Sequence, residues 1–488
     1  MVLLAVFSMA HVGSPDTFFT GQAGPYPLRV AVRLPGVIPG LAQITVRFTS
    51  NDPDAIRRVT VQAIQWDVGP EGAPPPDVAR AVPGDRSLYA AELWLMVPTS
   101  YRVHIAVEGR DGTGTAVVPI VALATAQKEM PRALGLLLAG LGLFLAVGVL
   151  TLMGAASRES TIPLGERPGP RDRRRARIVM TVGAVMMVLV AWGGWGWWNL
   201  EANDYTQRIL YRPFGAEASV AAADGRQTLS LVIRDSRWPA PAANVRTRYN
   251  ALMPDHGKLM HMFLVRDRDL DAFAHVHPVP RTATAEAFDV ALPPLPPGNY
   301  KVYGDIVHES GFAQTLVATA ILRGPEADRR DAANRDPDDS WFTAASVDEK
   351  AEPTFTTADG STIAWDRGNT PLVAGEDQLL TFKARGPDGK PLMLEPYMGM
   401  SGHAVVASED GSVFAHLHPS GSISMAALRK FESRLGGARA DSHAAHDAPA
   451  GELSIPYAFP RAGRYRLWVQ VKHGGQVITA GFKLSVDR

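Results

Sequence analysis

The 488-residue chain contains no cysteine. That excludes disulfides, thiolate metal sites and a cysteine nucleophile. Neither sign of charge is in excess: 49 Lys and Arg balance 49 Asp and Glu, so the electrostatic footprint of a nucleic-acid binder is missing. No G-x-S-x-G elbow, HExxH helix or P-loop occurs. The chain therefore reads as a binding protein rather than an enzyme, with redox chemistry left open. What it does have is punctuation. Its 45 glycines and 38 prolines interrupt short apolar runs, which favours β-sandwiches over helical domains.

One hexapeptide occurs twice, as Phe273-Ala274-His275-Val276-His277-Pro278 and Phe414-Ala415-His416-Leu417-His418-Pro419. Upstream lie Met260-His261-Met262-Phe263 in the first copy and Met398-Gly399-Met400-Ser401-Gly402-His403 in the second. Downstream, Gly298-Asn299-Tyr300 and then His308 match Gly463-Arg464-Tyr465 and then His473 at identical spacing. Eight of the 13 histidines thus form two equivalent sets of four, which marks an internal repeat.

Alternate side chains of a strand share a face, so His275 projects with His277, and His416 with His418. The proline after each pair ends the strand. His261 and His403 sit in apolar strands one hairpin upstream, across turns at Asp267–Asp271 and Glu409-Asp410-Gly411. Cross-strand neighbours have Cβ atoms about 5 Å apart, so three imidazoles converge in each copy. His308 and His473 end the strands Tyr300–Val307 and Tyr465–Lys472. Asp305 offers an oxygen ligand, but its equivalent is Gln470, so it is not counted.

Imidazole suits copper, zinc and nickel, while thioether favours Cu(I). Met260 and Met262 flank His261; Met398 and Met400 precede His403. One metal site is expected from His261, His275, His277 and His308 with Met260 and Met262. A second is expected from His403, His416, His418 and His473 with Met398 and Met400. Copper comes first and zinc second. Other readings fit the same residues. The histidines could be satisfied core or turn residues kept by duplication, in a structural or interaction scaffold for a membrane partner.

Residues 133–154 carry no charge over 22 positions. At about 1.5 Å per residue they span a bilayer core of roughly 30 Å. Residues 178–198 are a second uncharged run, ending in Trp192, Trp195, Trp197 and Trp198 as an interfacial aromatic belt. Between them, 155–177 holds Arg158, Arg167, Arg171, Arg173, Arg174, Arg175 and Arg177 against Glu159, Glu166 and Asp172. Short Arg-rich loops stay in the cytoplasm. The expectation is a bacterial inner-membrane protein with the lipid bilayer as partner. Its N-terminal and C-terminal domains lie in the periplasm or outside. Gly135/Ala139 and Gly142/Ala146 are small-xxx-small pairs suited to close helix packing.

The remaining boundaries follow composition. Residues 1–10, ending Ser8-Met9-Ala10, read as a signal-peptide remnant. Residues 26–125 alternate as an N-terminal extracytoplasmic sandwich, in which Ser100-Tyr101-Arg102-Val103-His104 echoes the Gly-x-Tyr of the repeats; His104 is a strand residue. Residues 201–225 are a connector, 227–323 the first repeat, 324–353 a linker and 354–488 the second repeat. Arg429–Gly451, with His443 and His446, is expected as a surface loop.

On Met398-Gly399-Met400, His403, the Gly-x-Tyr strands and the helix beside the sandwich, the chain resembles uncharacterised bacterial membrane-anchored proteins with periplasmic β-sandwich modules. More distantly it is similar to YtkA-like and FixH-like domains, over 227–323 and 375–488. The resemblance implies a sandwich fold, an association with copper handling, and a metal-transport or oxidase-assembly membrane partner. The chain departs from it by carrying FAHxHP twice and by placing its helices mid-chain. The whole reads as mainly β: three Ig-like or cupredoxin-like β-sandwich domains plus a two-helix transmembrane hairpin. The expected function is periplasmic binding of copper for delivery, storage or resistance.

Overall fold

The computed structural model describes residues 16–50, 52–163, 165–223, 226–238, 247–324, 335–344, 353–368, 370–434 and 450–488. The signal remnant at 1–10, His443 and His446 lie outside these residues. The protein is mainly β, with packed sheets throughout, and divides into two compact units, Ala124–Tyr211 and the rest of the chain.

Two helices fill the smaller unit, α1 (Arg132–Glu159) and α2 (Pro170–Asp204). Both are long and apolar enough to cross a membrane. They outrun the uncharged stretches, so the expected loop at 155–177 shrinks to 160–169. The reason is local. Pro170 opens α2 where no N–H is needed, and the Asp172 carboxylate accepts the Gly169 N–H at 2.9 Å. Arginine, a good helix former, continues the turn from Arg171 to Arg177. Helix contact uses other glycines than expected. A Cβ at Gly142 would meet nothing within 4 Å, whereas one at Gly154 would stand 2.6 Å from Met180 Sδ and one at Gly183 3.0 Å from Met153 Cε.

In the larger unit, the N-terminal domain begins at Thr17 rather than 26. Its eight strands run Thr17–Ala23, Tyr26–Arg33, Gly40–Phe48, Asp85–Leu95, Asp77–Val82, Ile56–Gln65, Ser100–Gly109 and Gly112–Val121 across one curled sheet. Its edges meet at Gly24 and Gly114, where a Cβ on Gly114 would stand 1.9 Å from the Ala23 carbonyl oxygen. The echo of the repeat is structural. Tyr101 donates to the Val97 carbonyl at 3.0 Å, Tyr300 to Pro296 at 2.8 Å and Tyr465 to Arg461 at 2.8 Å. This tyrosine corner belongs to immunoglobulin-type sandwiches.

Each repeat is a sandwich of an outer four-stranded and an inner five-stranded sheet. The first begins at Ala216, so the expected connector already holds strand Ala216–Ala223. Its inner sheet runs Ala313–Leu322, Gly298–Val307, His261–Arg266, Ala272–Val276 and Ser340–Thr343. The last of these lies in the stretch expected to be a linker. The second inner sheet runs Leu372–Val373, Gln476–Asp487, Gly463–His473, His403–Ser408 and Phe414–Leu417. Arg429 is not in a loop: it belongs to helix α3 (Met425–Ser433).

The two inner sheets pack on one another. Phe263, Val265, Phe273 and Tyr303 of the first meet Val405, Ala407, Phe414 and Trp468 of the second in one buried cluster. Strands His261–Arg266 and His403–Ser408 are therefore covered on both faces, which explains their unbroken apolar runs. The ring stacks cross between repeats: Tyr303 on Phe414 at 3.9 Å between centroids, Phe273 on Trp468 at 4.6 Å. By position Phe273 is equivalent to Phe414 and Tyr303 to Trp468, so a pseudo-two-fold relates the halves.

Candidate metal centre

Next to this aromatic core, on the same sheet faces, the histidines gather. In the first hairpin Phe263 pairs with His275 and Tyr303, and His261 pairs with Asp305. In the second, Val405 pairs with His416 and Trp468, and His403 with Gln470. Directly opposed residues share a face. So His261, His275 and His277 look across at His403, His416 and His418. The expected convergence within each hairpin is present, but the structure brings the two sets into one cluster. The His261 and His416 ring centroids are 5.5 Å apart, as are those of His256 and His403, and His275 and His416 are 5.6 Å apart.

His256 is a seventh member that sequence reasoning missed. It sits on a left-handed turn, φ 51°, followed by Gly257 at φ 81°. Reciprocal backbone bonds of 2.9 Å between Asp255 and Lys258 close that turn. Such turns favour Asn, Asp or Gly. The carboxylate of Asp255 accepts Ser424 Oγ–H and the Ala426 N–H, both at 2.9 Å, tying this turn to the start of α3 in the other repeat.

Two expected ligands are elsewhere. His308 donates from Nδ1 to the Asn250 carbonyl and packs among Phe214, Trp238, Tyr249 and Phe312. His473 lies at the end of its strand and bonds the Met393 carbonyl at 2.8 Å. Strand alternation is the cause. Tyr303 and Asp305 face the cluster, so residue 308 has the opposite parity; Trp468 and Gln470 face it, so residue 473 does too. The same rule turns Met260 and Met262 away. They flank His261 and are fully buried; the Met260 sulfur packs against Gly304 in the first sandwich. Met400 is buried and closes a turn with Tyr397, while Met398 is half-buried on that turn.

The outer ring nitrogens are anchored and the inner ones are not. His277 Nδ1 donates to the Asp339 carboxylate at 2.9 Å, and His418 Nδ1 to the Ile423 carbonyl at 3.0 Å. His275 Nδ1 donates to Gln470 Oε1 at 3.1 Å, and His261 Nε2 to the Asp255 carbonyl at 3.2 Å. His416 Nδ1 faces Asp305 Oδ2 at 3.4 Å. One of these supports crosses between repeats, since Gln470 holds His275; Asp305 stands beside His416 without a hydrogen bond to it. The hydrogen bonds fix each tautomer and leave a lone pair on the other nitrogen. Among the described residues, Nε2 of His277, His416 and His418 and both nitrogens of His256 and His403 are buried without a hydrogen-bond partner.

One contact bears on what the cluster can hold. His261 Nδ1 and His275 Nε2 are 3.2 Å apart, and the bonds on their far sides give both of them lone pairs. Two acceptors do not bond each other. Nitrogens about 2.0–2.1 Å from one tetrahedral ion stand about 3.3 Å apart, so the spacing is compatible with two ligands of one cation. Candidate ligand atoms lie within 4.8 Å of one another in three triads, His261–His275–His277, His256–His403–His418 and His277–Asp336–Asp339. Burial first, then the neighbouring imidazoles, holds His261, His275, His403 and His418 far below the ordinary range. Burial takes His416 down to about 3. Neutral imidazole is the ligating form. Burial pushes Asp305 up to about 7.

Fold and site together define a mainly β protein of duplicated sandwiches with a buried histidine cluster between the copies. The family described as a domain of unknown function (DUF8832) matches residues 222–321 and 356–488, which are the two repeats. Among solved structures, the FN1–FN3 domains of chicken CNTN1 align at 9% identity over 97% of this chain and 100% of that one, with a TM-score of 0.15. Dimeric latent PorU from Porphyromonas gingivalis aligns at 8% identity over 97% of this chain and 34% of that one, TM-score 0.15. Native alpha-2-macroglobulin of Escherichia coli aligns at 9% identity over 99% and 23%, TM-score 0.20. The chain therefore spans about a third or less of the last two. No curated protein matches it.

Proposed function

We propose that the protein binds copper in the histidine cluster between its two repeats, as a membrane-anchored metal-handling protein whose β domains lie outside the cytoplasm. The facing lone pairs of His261 and His275 carry this reading. A neutral, imidazole-rich site without thiolate suits copper above zinc in the order of divalent affinities. The arginines at the start of α2, with Arg158 at the end of α1, favour a cytoplasmic turn with both flanking regions on the opposite side. Such a site serves delivery, storage or resistance, with a membrane partner that gives or receives the ion.

The full chain, purified in detergent and dialysed, is expected to retain copper. A double His277→Ala, His418→Ala variant is expected to retain almost none, with circular dichroism confirming its fold. A folded parent holding neither copper nor zinc above background defeats the reading; zinc alone replaces the metal but keeps the site.

Asp339 supplies a subtler test. Asp339→Ala removes the 2.9 Å anchor of the His277 ring and leaves every histidine in place. Losing such an orienting carboxylate weakens metal binding by about 10–100-fold. Competition against a chelator reads this directly, and an unaltered affinity would remove Asp339 from the site.

A further inference from the structure

We infer that the cluster is a two-ion centre with unequal halves, one of four imidazoles and one of three imidazoles and a thioether; this rests on the metal-binding reading above. The argument starts from the turns. Asp255-His256-Gly257-Lys258 and Tyr397-Met398-Gly399-Met400 stand at the same distance before His261 and His403. Each places a non-glycine at positive φ, 51° for His256 and 52° for Met398, and then a glycine, 81° and 82°. Each is closed by reciprocal backbone bonds, 2.9 and 2.9 Å in the first, 2.7 and 3.1 Å in the second. Met398 is therefore the equivalent of His256. The turns also meet, since the Met398 carbonyl faces the His256 ring.

His256 stands nearer the other repeat than its own, where its ring is 6.0 Å from His261. Its ring lies 5.5 Å from His403 and 5.5 Å from His418, both of the second. With His416, which is 4.5 Å from His418, four imidazoles form one half. The pseudo-two-fold sends His403, His416 and His418 to His261, His275 and His277, and sends His256 to residue 398. The second half is thus His261, His275 and His277 with the position of Met398. Four imidazoles suit Cu(II) or Zn(II), whereas a thioether shifts preference to Cu(I). The duplication supplies two pockets, and the His-to-Met difference makes their ligand sets unlike. Both special residues sit at positive φ, where a side chain is held against backbone preference.

The test is a titration of the full chain in detergent, stripped of metal, with Cu(I) under anaerobic conditions against a competing chelator, and in parallel with Zn(II). Two Cu(I) ions are expected per chain, bound in distinct steps, with a sulfur scatterer at one copper by X-ray absorption. Met398→Ala is expected to weaken one step at least about tenfold and leave the other. His256→Ala is expected to weaken the opposite step. Met398 is half-buried on a turn, so its replacement spares the core. One ion per chain overturns the two-ion centre while sparing the proposed function. No ion overturns both. Two ions with neither step moved by Met398→Ala, or no sulfur at copper, overturn the unequal halves.

Discussion

The metal-free protein is expected to lose its fold on mild acidification, between about pH 6 and 4.5. Histidines held below their ordinary value stay neutral in the folded chain and take up protons in the unfolded one, which then binds more protons. Their contribution is complete above an unfolded value of about 6.5 and is lost as pH falls below it. Each such group is worth about 1.4 kcal/mol per pH unit in that window. His261, His275, His403 and His418 are displaced this way by burial, His416 down to about 3 and His308 down to about 4. Asp305 opposes them. Pushed up to about 7, it is protonated in the folded chain first and adds stability as pH falls from there. Six groups against one leave roughly five protons, or about 7 kcal/mol per pH unit. A domain is stable by about 5–15 kcal/mol, so one to two units suffice. The fluorescence of buried Trp468 against pH reads the transition. Copper should move it to lower pH, because metal competes with protons for the same lone pairs. A metal-free chain with native fluorescence at pH 4 would end this account of the cluster.

Trp468→Ala is expected to damage the metal site without removing any ligand. The indole is fully buried and stacked on Phe273 of the other repeat at an interplanar angle of 14°. Truncating such a side chain to alanine costs about 3–5 kcal/mol. The loss falls on the interface that holds His261, His275 and His277 against His403, His416 and His418. The unfolding free energy from denaturant titration should fall by that amount, and retained copper should fall with it. Trp468→Phe is the control. The indole Nε1–H has no partner among the described residues, so phenylalanine keeps most of the stack and abandons no hydrogen bond. Equal copper retention in the alanine variant would show that the repeats do not hold the site by their packing.

Much of this arrangement was legible as pattern. The paired FAHxHP stretches, the hairpin distance back to His261 and His403 and the period-two alternation fix three imidazoles on one face. The same alternation, carried one strand further, excludes His308, His473, Met260 and Met262, and selects Asp305 and Gln470. What alternation does not say is what covers the face. The unbroken run His261-Met262-Phe263-Leu264-Val265 signals burial on both sides but not the identity of the second cover, which is the other repeat. His256 was hidden differently. A residue before glycine in a turn is ordinarily read as turn chemistry, and only comparison with Met398-Gly399 shows the two positions to be the same. Asp339 lay in a stretch whose acidic composition resembles a solvated linker, although its carboxylate orients a buried ring.

The pseudo-two-fold has an ancestral consequence. Before duplication, a single copy would have carried an aromatic face flanked by imidazoles, and only a second copy, turned through half a revolution, could cover it. Such a surface is isologous: it recognises itself. A homodimer of single modules is therefore the natural forerunner of this chain. Joining the copies in one polypeptide releases them from identity, as at His256 against Met398 and Asp305 against Gln470.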